Sequence, residues 1–150
     1  MNQIDSLKEQ HAHLEDLFHE ISLAKDVPTR TEILEDLARH LIAHLSLEDR
    51  LLRRAAATAP REAGLWEDWE RRLPVERVVM MLAAIDPSDS TFGAKVASLQ
   101  DVFEDRIEYE ETRLFQRLQP FVPQQVAREL PSRRVDAPSL EPRFAMGGTS

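Results

Sequence analysis

The chain has 150 residues, 42% of them hydrophobic, and carries 19 basic against 27 acidic side chains, a formal net charge of −8. A chain of this length builds one hydrophobic core, so we expect one domain. The negative charge opposes binding to nucleic acid or to an anionic membrane surface. Because the sequence contains no cysteine, disulfides, iron–sulfur clusters and thiol catalysis are excluded, and any metal must take nitrogen and oxygen ligands.

The beginning of the sequence carries no sign of a targeting segment. Residues 1–8 lack a basic region followed by an apolar run, and no stretch approaches the roughly 18 uninterrupted apolar residues of a membrane span. We therefore expect a soluble protein of the cytoplasm.

Segments rich in Leu, Glu, Arg and Ala, separated by prolines, predict helices along most of the chain. The first helix is expected over 4–24 and the second over 29–57, with Pro28 near the start of the second. Such a short connection makes the two helices antiparallel neighbours.

The second half of the chain continues the same alternation. A third helix is expected over 61–85 and a fourth over 91–118, and a short fifth helix over 124–130. From 131 to 150 no apolar period could fold alone, which predicts a flexible tail. The predicted fold class is all-α, an antiparallel up-down-up-down four-helix bundle over 1–130.

Polar side chains interrupt the apolar stripes of three predicted helices. Each stripe recurs at spacings of three and four, the rhythm of one buried helix face. The first stripe contains Leu7, His11, Leu14, Phe18 and Ile21. The second contains Leu34, Leu37, Leu41, His44, Glu48 and Leu51. The third, on the fourth helix, contains Phe92, Val96, Leu99, Phe103, Arg106, Glu110 and Leu114.

Counting from the turns places these polar residues in one layer of the bundle. His11 and His44 both lie about sixteen residues from the first hairpin, and Arg106 lies a similar distance beyond the next long loop, at a rise of about 1.5 Å per residue. An ionised carboxylate buried without a partner costs several kcal/mol. Glu48 and Glu110 therefore need a metal, a cationic partner or water.

Two of the helices carry motifs that resemble the signature of the hemerythrin, or HHE cation-binding, family. The segment 44–52 reads His-Leu-Ser-Leu-Glu-Asp-Arg-Leu-Leu. It is similar to the family's His-x-x-x-Glu-Glu-x-x-Leu-Phe, with Asp49 in place of the second Glu. The segment 106–115 reads Arg-Ile-Glu-Tyr-Glu-Glu-Thr-Arg-Leu-Phe. It resembles a second copy in which Arg106 stands at the histidine position.

The remaining helices match the family less completely. The segment 10–14 reads Gln-His-Ala-His-Leu and resembles the family's opening Asp-His-x-x-Leu element. The third helix should supply one more histidine and contains none. The resemblance covers residues 4–118 and implies a bundle with two irons between its helices, bridged by two glutamates.

Carried over residue by residue, the resemblance implies that His11 and His44 bind one metal and that Glu48 and Glu110 contact it from the bridging positions. The second metal would lack its nitrogen ligands. Arg106 cannot coordinate, because a guanidinium stays protonated and offers no lone pair, but its charge can stand in for the absent cation and pair with Glu110. We therefore predict one metal ion, iron, rather than two.

Two glutamates of the third helix are candidates to face this layer, and the sequence does not decide between them. Glu70 matches the layer by counting from the loop, whereas Glu76 lies in better apolar register, and Pro74 can break the phase between them. Either could pair with Arg106. The acidic run 104–111 is expected to be a solvated face apart from its inward glutamate.

The expected function is binding of a non-haem iron in the bundle core, where an open position would bind dioxygen or nitric oxide, or exchange an electron, in sensing, storage or redox protection. The alternative is a metal-free bundle that acts as a protein interaction module, held by a buried Arg, Glu and His network. Enzymatic turnover is the weakest hypothesis, because no substrate pocket or proton-transfer arrangement is identified. The tail from Pro131 is a candidate docking segment for a partner or for a second copy in a homo-oligomer.

Overall fold

Helices dominate the part of the chain that the computed structural model describes, residues 2–123. Between these residues there is no β-strand, as predicted. The predicted fifth helix over 124–130 and the tail from 131 lie outside the described residues, so they stay predictions.

The first two helices begin at side-chain caps. Helix α1, Gln3–Leu23, begins at Asn2, whose side-chain oxygen accepts a hydrogen bond from the Asp5 N–H at 3.0 Å. The Asp5 carboxylate in turn accepts from the Asn2 N–H, which completes a capping box. Helix α2, Val27–Thr58, begins at Asp26, whose carboxylate accepts from the N–H three residues on. Only three residues join the two helices, which makes them an antiparallel pair.

The third predicted helix is not continuous, and this part of the prediction is wrong. A 3-10 turn, Arg61–Ala63, is followed by α3, Leu65–Glu70, and by α4, Val75–Ala83. Gly64 joins the turn to α3 with φ +75°, a left-handed conformation that glycine adopts without a Cβ penalty. Pro74 lies in the break between α3 and α4, because its ring cannot continue a helix and it has no N–H to donate.

The fourth predicted helix is present with one irregularity. Helix α5, Phe92–Tyr109, runs into a π-helical segment, Glu110–Leu114, and then into the short α6, Phe115–Leu118. A π-helical turn holds more residues than an α-helical turn, so it changes which consecutive side chains face inward.

The helices close into the predicted four-helix bundle. Helix α1 packs against α2 and α5, and α4 packs against the same two helices on the other side. The short α3 packs on α2. None of the helices described here is long and apolar enough to cross a membrane.

The core is divided into two apolar clusters, one at each end of the bundle. One cluster is built around Leu14, Phe18, Leu41, Leu45, Leu99 and Phe103. The other is built around Ile4, Leu7, Leu52, Leu65, Leu114 and Phe115. The predicted polar residues lie near the boundary between the clusters: His11, Glu48 and Glu110 each fall in sequence between a member of one cluster and a member of the other.

Candidate metal centre

The polar side chains predicted from the stripes do meet between the two apolar clusters. His11 and His44 are each 1% exposed, Glu48 is 3% exposed and Glu110 is fully buried. The ring centroids of His11 and His44 lie 4.8 Å apart. The side chain of Arg106 is 10% exposed and closes the layer on one side.

Three of the four predicted ligands form one compact group. A ring nitrogen of His11, a ring nitrogen of His44 and a carboxylate oxygen of Glu110 all lie within 4.8 Å of one another, close enough to hold a metal ion. Glu48 lies outside that group. Its Oε2 instead faces Arg106 Nη2 at 3.6 Å.

His11 lies between two carboxylates. Its Nε2 is 2.9 Å from Glu110 Oε1, and its Nδ1 is 2.7 Å from Glu111 Oε2. Burial lowers the pKa of His11, but the hydrogen bonds and charges of the two glutamates outweigh burial and raise that pKa above its ordinary value. Burial also raises the pKa of Glu110, against the effect of His11. Both shifts favour a bound proton, so without a metal the pair of His11 and Glu110 is stabilised in a protonated form, with the two ring nitrogens of His11 facing the two carboxylates.

His44 has a different environment. Its Nδ1 donates to Gln10 Oε1 at 2.7 Å, and an amide oxygen can only accept. Burial, followed by the positive charges of His11 and Arg106, lowers the pKa of His44 to about 3, so the ring is neutral near pH 7. Its Nε2 then keeps a lone pair, yet this atom is buried and has no hydrogen-bond partner among the described residues.

Arg106 joins the two buried glutamates. Its Nε donates to Glu110 Oε2 at 2.7 Å, so the predicted pairing with Glu110 is present. Its Nη2 and the Oε2 of Glu48 are both buried and lack a hydrogen-bond partner within residues 2–123. At 3.6 Å the two groups attract each other as charges without forming a hydrogen bond.

The predicted contribution of the third helix is wrong. Glu70 and Glu76 are both exposed, and the ion pairs of Arg106 in the described part of the chain go to Glu48 and Glu110 instead. The physical reason is the break before Pro74, which leaves neither glutamate in the register that a continuous helix would give.

Sequence reasoning missed two residues that hold the histidines. Glu111 was expected on the solvated face, but its carboxylate accepts from His11 Nδ1 because the π-helical turn brings two consecutive glutamates to one ring. Gln10, next to His11 in the sequence, binds His44 across the helix pair. The adjacent Glu110–Glu111 pair was the available signal for Glu111. Asp49 is not at this centre and accepts from the Trp69 indole N–H at 2.9 Å.

Sequence reasoning also missed a second buried carboxylate, on α3. Asp68 is 2% exposed. It accepts from Arg117 Nη2 at 2.6 Å on both of its oxygens and from the hydroxyl of Tyr109. All its partners come from the chain itself. Because α3 was predicted as part of a longer helix, no stripe singled this aspartate out.

The fold is that of a helical-bundle protein whose core contains two histidines and a glutamate close enough together to hold a cation. The family model of the Hemerythrin HHE cation binding domain matches residues 2–118. The chain therefore belongs to the hemerythrin HHE cation-binding family.

The chain is 26% identical over 115 residues to a DNA nickase from Nostoc sp. (strain PCC 7120 / SAG 25.82 / UTEX 2576), a match that covers 77% of this chain and 33% of the relative. The chain thus spans about a third of the length of that protein. No solved structure matches it.

Proposed function

We propose that the chain binds one divalent metal ion in the bundle core, through His11 Nε2, His44 Nε2 and a carboxylate oxygen of Glu110. The observation that carries this proposal is the buried lone pair of His44 Nε2, which has no donor within residues 2–123. Leaving such a group unsatisfied costs about 1–3 kcal/mol. A metal ion is the partner that the neighbouring nitrogen and oxygen atoms can share.

The outer contacts of the two histidines support the same assignment. Gln10 holds Nδ1 of His44 and Glu111 holds Nδ1 of His11, each at 2.7 Å. Metal-ligating histidines commonly donate their second ring N–H to such an oxygen, which fixes the ring and directs the other nitrogen to the ion. These contacts therefore direct both Nε2 atoms toward one centre, where Nε2 of His44 is unpartnered within the described residues and Nε2 of His11 contacts Glu110.

The charges of the layer favour one ion over two. Binding at His11 Nε2 displaces the proton that this nitrogen shares with Glu110. The carboxylates of Glu48, Glu110 and Glu111 then carry −3 against +1 on Arg106, which leaves −2 for one divalent cation to neutralise. A second ion would leave the buried layer strongly positive, so Arg106 replaces it.

We infer that the physiological metal is iron, because imidazole and carboxylate ligands suit ferrous iron and three protein ligands leave coordination positions open. Bound iron would supply reversible binding of dioxygen or nitric oxide, or transfer of one electron, in sensing, storage or protection. The protein itself surrounds the site with aromatic side chains that exclude water. Phe115 stacks on His11 with centroids 5.8 Å apart, and Phe103 meets both histidine rings edge-on at about 6 Å.

The test is elemental analysis by mass spectrometry on protein purified without a histidine tag and reconstituted anaerobically with ferrous iron. We expect one iron per chain, and none in His44→Ala. The matched control is His40→Ala, one turn earlier on α2, where the ring contacts Asp36 and His13 and none of the proposed ligands in the described part of the chain. Retention of iron by His44→Ala would exclude the proposed ligand set, and two irons per chain would exclude the role given to Arg106.

One observation favours the metal-free alternative, an interaction module without an ion. Glu110 already contacts both His11 Nε2 and Arg106 Nε in the structure, so much of the layer is paired without a metal. A folded protein that takes up no iron in the same analysis would support this alternative and exclude the first proposal.

A further inference from the structure

A cleft of about 480 Å³ lies beside α3, where the chain leaving α5 and the π-helical segment passes it. Guanidinium groups from four separate places in the sequence line this cleft. They belong to Arg61, Arg71, Arg113 and Arg117. Two acidic side chains, Glu67 and Asp68, lie among them.

The charge of this cleft is opposite to that of the chain. Four guanidiniums against two carboxylates give a local charge of +2, in a protein whose formal net charge is −8. A concentration of positive charge in one concave place attracts anions, even when the overall charge repels them at long range.

One of the two carboxylates is already fully engaged. Asp68 is buried under Arg117 and the hydroxyl of Tyr109, which fixes the position of the Arg117 guanidinium at the edge of the cleft. The other three arginines, Arg61, Arg71 and Arg113, are exposed, and their side chains have no hydrogen bond or ion pair within residues 2–123. Their donors are free to receive a ligand.

We propose that this cleft binds a small phosphate-bearing molecule, of the size of pyrophosphate or the phosphate chain of a nucleotide. The planar guanidinium fork matches phosphate oxygens in pairs, and such charge-assisted bonds are shorter and stronger than neutral ones. The volume falls in the range of roughly 300–1,000 Å³ that is usual for small-molecule sites.

A second cleft extends the same surface. It has a volume of about 350 Å³ and shares Arg71 and Tyr109 with the first. Its further charged lining residues are Arg72, Arg77, Arg106 and Asp105. A ligand longer than a single phosphate can therefore keep contact with arginines on both sides of Tyr109. None of the proposed metal ligands lines either cleft, although Arg106, which bonds to Glu110, lines the second, and the proposal goes beyond the metal-binding function.

The experiment is isothermal titration calorimetry of the full chain with inorganic pyrophosphate and, separately, inorganic phosphate. Metal-depleted protein is used, because pyrophosphate chelates iron. We expect one site, with pyrophosphate binding more tightly than phosphate. Arg71→Gln and Arg113→Gln should each weaken binding at least about tenfold by removing paired donors. His44→Ala should leave the affinity unchanged, so failure of the metal proposal and of this one can be told apart.

The matched control is Arg54→Gln, which removes the same charge from an exposed arginine of α2 outside both clefts. Its affinity for pyrophosphate should stay within about twofold of that of the unchanged protein, since long-range charge effects are screened by salt. Equal weakening in all three arginine variants, no binding of pyrophosphate at millimolar concentration, or binding of a ten-nucleotide single-stranded DNA but not of pyrophosphate would each overturn the proposal.

Discussion

Two buried carboxylate networks lie in this bundle, and they differ in completeness. Asp68 on α3 accepts from Arg117 and from Tyr109, and both of its oxygens are occupied. The layer around Glu110 is larger and more deeply buried, yet it leaves His44 Nε2 without a partner in the described chain.

This difference in hydrogen bonding distinguishes a structural network from a ligand-binding site. A satisfied buried network offsets the cost of its own desolvation and needs nothing further. A buried network with an unpaired polar atom destabilises the folded protein until a ligand supplies the missing partner. Its residues therefore lower the stability of the empty protein and raise its affinity for the ligand. Substitutions in the two networks should therefore act on different quantities.

The largest effect is expected from His44→Leu. This change removes a proposed ligand and should weaken ferrous binding at least about 100-fold, measured by competition with a chelator of known affinity. It also removes an unsatisfied buried nitrogen, so the free energy of unfolding of the metal-free variant should lie within about 1 kcal/mol of the unchanged protein. A loss of stability without a loss of metal affinity would place His44 with the structural networks.

Glu111→Gln tests the outer shell of the same site. The amide keeps the shape but removes the negative charge that holds His11 Nδ1, so metal affinity should fall about 10–100-fold while the stoichiometry stays at one. Glu108→Gln is the matched control, because Glu108 is exposed on the neighbouring turn. Equal affinities in the two variants would show that the Glu111 contact does not support the metal.

Acid should destabilise the metal-free protein through His44. Its folded pKa of about 3 lies below the ordinary 6.5, so the unfolded chain takes up a proton that the folded chain refuses as pH falls through 6.5. This contribution amounts to about 2 kcal/mol less stability at about pH 5. Urea denaturation across pH measures it, and the acid-side slope should diminish in His44→Leu.

The raised pKa of His11 changes stability with pH in the opposite direction. Its imidazolium stabilises the folded state fully below the ordinary pKa, and the contribution is lost as pH rises through the folded pKa. The free energy of unfolding of the metal-free protein should therefore be greatest between the acidic pH range in which His44 lowers it and the more basic range in which the contribution of His11 is lost. A profile that is flat on both sides would contradict the assigned protonation of both rings.

The smallest effect is expected from Asp68→Asn. The amide keeps acceptor and donor groups but loses the charge opposite Arg117, whose side chain is 40% exposed and can turn to water. The free energy of unfolding should fall by about 1 kcal/mol, and iron content should not change. A loss of iron in this variant would mean that the two networks act as one.

The sequence was sufficient for the bundle and for the five residues of the polar layer. His11, His44 and Glu110 each replace an apolar residue in a stripe with helical period, and helical rise alone places them at one level. A regular period predicts which residues face inward wherever the helix is regular.

The contacts that the sequence did not predict depend on irregular backbone. In the π-helical segment the exposed Glu111 reaches His11 beside the buried Glu110. The break at Pro74 removes Glu70 and Glu76 from the layer and leaves Asp68 buried on a helix of its own. A period of 3.6 cannot represent an extra residue in a turn or a change of helix axis. The contact of Gln10 with His44 depends on the rotation of two helices about their axes, which the stripes fix only approximately.

The division of the third side of the bundle into α3 and α4 has a kinetic consequence. Helices of six and nine residues are too short to be stable alone, and the outer face of α4 exposes Val79 and Met80. Among the described residues, the proposed ligands come from α1, α2 and the π-helical segment. We therefore expect local opening on this side of the bundle to control how fast small solutes reach the layer, and the three proposed ligands to control how tightly an ion is held.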